Sequence, residues 1–164
     1  MTGRGIALLA ALFLLPACGS MSDATGPTAF QFRTIGRGWL LAASRFNASG
    51  PGLTVIGDQA AWKAFAADVQ GLRPPSGDPR EPMPVVDFSS ESAVVLWLGT
   101  RNDSSYSVEV AGISVVRPSG LIVQAVEAQT CGGALTVITY PFVVIAVPRG
   151  YDVRAEWSRT PPCR

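Results

Sequence analysis

Histidine is absent from this chain, which removes the commonest general base and the commonest metal ligand together. A serine nucleophile would have no imidazole beside it, Gly-x-Ser-x-Gly does not occur, and no glycine-rich phosphate loop precedes a helix. Cysteine is scarce: three residues, with no Cys-x-x-Cys, whereas a zinc site wants about four ligands. Asp87 and Glu91 are close in sequence, but one falls on an expected strand and the other just before the next. They are not thereby set facing each other across a cleft, as two-carboxylate hydrolysis requires. Charge is thin and balanced, 13 basic residues against 12 acidic, and Lys63 is the one lysine. With no basic cluster there is no electrostatic footprint for nucleic acid, and no basic face to hold the chain on anionic lipid. These absences predict a protein that is not an enzyme and carries neither cofactor nor metal.

Long apolar runs are also missing. The one at the start, Ile6 to Leu15, is about ten residues, too short for roughly 30 Å of hydrocarbon. With Arg4 before it and small residues after it, it reads as an export signal over residues 1–17. Leu15-Pro16-Ala17-Cys18 resembles a bacterial lipobox. The resemblance implies that Cys18 becomes the lipidated first residue of a mature protein in the cell envelope, facing periplasm or exterior, with the lipid as its contact with the membrane. Residues 18–27 are small and polar and read as a flexible tether, reaching on the order of 17 Å. Residues 28–164 are enough for one domain with its own core. The two other cysteines, Cys131 and Cys163, are expected to pair in an oxidising compartment. That disulfide would close a loop of about 32 residues and contribute about 3–4 kcal/mol in the chain-entropy model.

Along this domain, Phe30, Phe32 and Ile35, broken at Gly36-Arg37-Gly38, then Trp39 to Phe46, read as two short strands about a turn. Leu53 to Ile56 is a short strand. Asp58 is an N-cap candidate, and Trp62, Phe65, Ala66 and Val69 fall on one helical face that Gly71 closes. Five prolines in residues 73–84 exclude helix and central strand. Val85 to Phe88 reads as a strand. Ala93 to Leu98 is an apolar run of the kind buried on both faces. Arg101-Asn102-Asp103 marks a turn. Tyr106 to Val110 alternates, and residues 113–117 and 121–127 form a hairpin around Pro118-Ser119-Gly120. Residues 129–134 are a loop. Residues 137–147 are apolar, with Pro141 implying a bulge or an edge, and Tyr151 to Trp157 alternates as the last strand. The fold expected is mainly β, with a minor helical part: an antiparallel sandwich or curled sheet with one packed helix. Aromatics on strands or beside turns are the binding candidates, with Tyr106, Tyr140 and Phe142 foremost.

Across residues 85–148 the order of features is Val85-Val86-Asp87-Phe88, then Ala93 to Gly99, Tyr106-Ser107-Val108-Glu109-Val110, Leu121 to Glu127, and Tyr140-Pro141-Phe142 running to Pro148. This series resembles the C-terminal domain of the protease complex subunit PrcB family. It departs from the family pattern at Ser104-Ser105, where Gly-Gly usually precedes the tyrosine. The resemblance implies an exported, often lipid-anchored, non-catalytic protein whose partner is an exported protease or its assembly. It supplies no catalytic residue. Two other readings stand beside it: a carbohydrate- or cell-wall-binding module, and a protease inhibitor inserting a loop from residues 73–84 or 99–106.

Overall fold

The computed structural model describes residues 30–40, 50–76, 78, 80–82 and 84–161. The export signal, the tether, Cys18, Cys163 and the second half of the Trp39–Phe46 stretch lie outside these residues. The architecture is mainly β: eight strands in two sheets, and one helix. The strands are β1 (Arg33–Leu40), β2 (Gly52–Ile56), β3 (Val69–Arg73), β4 (Glu91–Trp97), β5 (Tyr106–Val116), β6 (Gly120–Gln129), β7 (Pro141–Pro148) and β8 (Asp152–Arg159), with α1 (Gln59–Ala67) between β2 and β3. One sheet has the order β2-β4-β7-β1-β3, the other β5-β6-β8.

The five-stranded sheet is the middle layer, which explains its unbroken apolar strands. Because side chains alternate across a strand, β4 and β7 feed two cores at once. Val94, Leu96, Val143 and Ile145 pack toward the three-stranded sheet, while Ala93, Val95, Phe142 and Val144 pack toward the helix. Residues Ala93 to Leu96 are fully buried, as a strand covered on both faces should be. On the helix side Phe65 is the buried anchor. A helix of nine residues is marginal in isolation and is held by packing and its cap. The Ala61 N–H donates to Asp58 Oδ1 at 2.8 Å, as the N-cap reading expects.

Several expectations are corrected. Gly36-Arg37-Gly38 is not a turn. β1 runs straight through it, and the glycines fall where the register slips against β7 and again against β3, so they accommodate bulges. The helix stops at Asp68, whose N–H donates to the Phe65 carbonyl at 2.9 Å. Val69 therefore opens β3 instead of extending the helical face, Ala66 is exposed, and Gly71 lies within the strand. Val85 to Phe88 is not a strand. Asp87 there nucleates a turn, accepting from the Ser89 N–H at 3.0 Å and from the Ser89 and Ser90 hydroxyls at 2.6 and 2.8 Å. Residues 106–110 and 113–116 form one strand, β5, with an irregularity between Val110 and Gly112. Pro141 opens β7 instead of interrupting it, at the first-residue position where a missing N–H is tolerated. The sheets are not wholly antiparallel, since β8 pairs parallel with β6.

β5 lies over β7 and β8 over β2. The three-stranded sheet therefore covers β7, β4 and β2, and the opposite layer extends past it as β1 and β3. That offset positions the candidate site.

A candidate binding groove at one end of the sandwich

Where β5 passes the outlying strands, a cavity of about 230 Å³ opens. Arg37, Trp39 and Arg73 form one side and Tyr106 and Val108 of β5 the other, with Pro141 and Phe142 bordering it from β7. Its construction follows from the strands. The slip between Arg37 and Trp39 sets two steps of β1 against three of β3, while β1 stays in register with β7 from Gly36 to Trp39, so Arg37 and Trp39 share one face by alternation, and Trp39 is 39% exposed. Phe142 is 1% exposed, its ring on the helix side of the sheet against Phe65.

Tyr106 is a partition. On its far side lies a second cavity of about 240 Å³, lined by Glu127, Gln129, Arg159 and Thr160 as well as the tyrosine. Glu127 sits among charges there. Arg101 Nε donates to one carboxylate oxygen at 2.9 Å, and Arg159 Nε to the other at 2.8 Å. The Arg101 guanidinium lies over the Tyr106 ring, 5.7 Å from its centroid, a cation–π contact. Side-chain exposure is 9% for Glu127 and 13% for Arg101 but 75% for Arg159, so one arginine belongs to the interior and the other to the surface.

The loop after β6 borders the same end. The Ser104 N–H donates to the Leu135 carbonyl at 3.0 Å, and the Leu135 N–H to Ser104 Oγ at 2.9 Å. Arg101 and Thr139 exchange backbone hydrogen bonds of 2.8 and 2.9 Å. Between these ties Leu135, Val137 and Ile138 stand exposed. Cys131 stands at the start of the loop, and Cys163, its expected partner, lies outside the described residues.

Of the residues the sequence nominated, Tyr106 and Phe142 meet at the groove. Phe142 only borders it, with its ring buried in the helix-side core and not an exposed contact. Tyr140 does not line the groove. It is half-buried against the helix-side core, and its carbonyl accepts from the Leu40 N–H at 2.9 Å. Tyr151 and Trp157 pack on the inter-sheet core, Tyr151 with its ring edge-on to Phe30. The sequence reading missed Trp39, Arg37 and Arg73. The one available signal was an arginine between two glycines inside an apolar strand.

Asp87 and Glu91 are engaged in structural contacts. The Ser89 hydroxyl, then the Ser89 N–H and the Ser90 hydroxyl, hold the Asp87 carboxyl below the ordinary carboxylate range. Glu91 Oε2 accepts from Arg33 at 2.7 Å and from the Asp87 N–H at 3.2 Å. Among the described residues, no three of His, Cys, Asp or Glu gather as a metal site, and no helix is long and apolar enough to cross a membrane.

Comparison with known proteins finds no family model, no curated protein and no solved structure that matches the chain.

Proposed function

We propose that this is a non-catalytic protein of the bacterial cell envelope, lipid-anchored at Cys18, that binds another protein through the Trp39–Tyr106 end of its sandwich. The observation that carries the reading is the groove itself. Two partly exposed aromatics, Trp39 and Tyr106, lie with Val108 and Pro141 between strands of two sheets, the kind of place where aromatic anchors fill a partner's contact. The loop carrying the exposed Leu135, Val137 and Ile138, tied to Ser104 and Arg101, adds exposed apolar side chains at that end. The nature of the partner rests on the resemblance of residues 85–148 to the PrcB family: an exported protease or its assembly. A disulfide between Cys131 and Cys163 would brace the loop that carries the apolar residues.

The test is in-cell crosslinking of the anchored protein, with captured partners identified by mass spectrometry and Trp39→Ala run in parallel. Recovery of one exported protease, lost in Trp39→Ala, supports the reading. Retention on cell-wall glycan with no specific protein replaces it with the carbohydrate-binding module. Slowed proteolysis when the purified pair is mixed makes the protein an inhibitor, whereas an assembly partner prolongs activity. Continued membrane retention of Cys18→Ala overturns the anchor, and two titratable thiols at Cys131 and Cys163 in unreduced protein overturn the pairing.

A further inference from the structure

Arg37 on β1 and Arg73 on β3 are direct cross-strand partners. Side chains so placed are within about 5 Å at Cβ, and like charges in that position repel. Four other arginines, Arg33, Arg101, Arg154 and Arg159, each meet a carboxylate. This pair does not. Among the described residues Arg37 reaches only the Pro75 carbonyl, at 3.4 Å, and Arg73 has no ion pair. Two unanswered positive charges thus stand at the mouth of an apolar groove, on the part of the five-stranded sheet that the other sheet leaves bare.

The terminal strand β5 shows what kind of chain fits over them. Its outer edge is already used at one point, where the Phe30 N–H donates to the Ile113 carbonyl at 3.1 Å. Phe30 and Phe32 pack on the inter-sheet core beside it. The other half of β5, Tyr106 to Val110, borders the groove. A strand laid along that half would add a fourth member to the three-stranded sheet and lie above β1 and β3. Its side chains would alternate, so residues two apart would share the face turned to the groove.

Resting on the protein-docking reading, we propose that the groove takes an extended acidic segment of the partner protein. The segment sets an apolar side chain between Trp39 and Tyr106 and, two residues along, an Asp or Glu side chain against Arg37 and Arg73. Arginine suits this role because its planar donors match a carboxylate.

The probe is a dye-labelled, end-blocked octapeptide of alternating valine and threonine with a central Leu-Thr-Asp, titrated into the full chain by fluorescence anisotropy. Three relatives of it carry Asn, Lys or a free terminal carboxylate in place of the aspartate. Saturable binding is expected for the aspartate peptide, weakened at least about tenfold in the asparagine peptide and in Arg73→Glu, and falling with salt. The lysine peptide should regain binding on the double variant Arg37→Glu, Arg73→Glu, a gain that an unfolded variant could not produce. Equal binding of the aspartate and asparagine peptides overturns the inference, as does binding only of the free-acid peptide, which would make the ligand a chain terminus. If crosslinking still captures the partner with the double variant, the carboxylate contact is overturned while docking stands. If the wild-type chain captures no protein yet the peptide pattern holds, docking to a protease-type partner fails and the groove chemistry survives.

Discussion

Phe65 stands edge-on to Phe142, ring centroids 5.5 Å apart and planes at 88°. The contact joins the only helix among the described residues to β7 at the strand end that borders the groove, so the helix supports that strand from behind the sheet. Phe65→Ala should cost about 3–5 kcal/mol, and about 0.5–1.5 kcal/mol of that belongs to the ring pair itself. Urea unfolding measures the loss. Phe65→Leu, which keeps most of the volume, should retain the fold and lose less.

Glu127 and its two arginines should separate into unequal partners. Glu127→Ala strands Arg101 at 13% side-chain exposure and should destabilise by about 3 kcal/mol. Arg159→Ala removes a surface arm and should cost under about 1 kcal/mol. Chemical denaturation of the two variants side by side checks the ratio. Equal losses would mean that Arg159 is held as firmly as Arg101.

Gly52 faces Trp97 directly across β2 and β4, and a Cβ at residue 52 would run into the indole ring. Gly52→Ala should cost about 1–3 kcal/mol by forcing the ring aside. Gly57→Ala, which meets open space, should stay within about 0.5 kcal/mol of wild type. A shift in tryptophan emission is expected for the first variant only.

Asp87 should make the fold acid-sensitive. Its carboxyl is held below the ordinary range, chiefly by the Ser89 hydroxyl, so the ionised form is favoured in the native state. The resulting stability is present above the ordinary value of about 4 and is lost as pH falls through the lower native one. Asp87→Ala should be less stable than wild type at neutral pH, with the gap narrowing between about pH 5 and pH 2. Thermal melts across that range read it, and a gap that widens with acid would contradict the assignment.

How much of this could be read from residues alone depended on whether local pattern and tertiary role agreed. The runs in β4 and β7 admit one reading because a strand apolar on both faces needs cover on both, and the sandwich supplies it. Asp58 announced the helix because an N-cap is a local device. Val69 misled because its spacing from Trp62 also suits a helix, and what ends α1 is the pairing of residues 69–73 with β1. Gly36 and Gly38 misled because glycine serves turns and bulges equally. Alternation in β8 identified its buried face but could not say which neighbour it pairs with. The groove was half legible: Tyr106 stands beside a recognisable turn, whereas Arg37, Trp39 and Arg73 come together only through the pairing of β1 with β3, a strand the sequence reading did not contain.

The parallel seam between β6 and β8, running from Gly120 with Asp152 to Glu127 with Arg159, bears on how the molecule comes into being. Parallel neighbours cannot be joined by a tight turn, and here the intervening chain first passes through the other sheet as β7. Until residues 152–159 have been synthesised, the smaller sheet is a two-stranded ribbon, an assembly that barely persists in water. A growing chain paused before Asp152 would expose the apolar flank of that ribbon and be open to chaperones and degradative surveillance. The smaller sheet is thereby completed only when residues 152–159 dock beside β6.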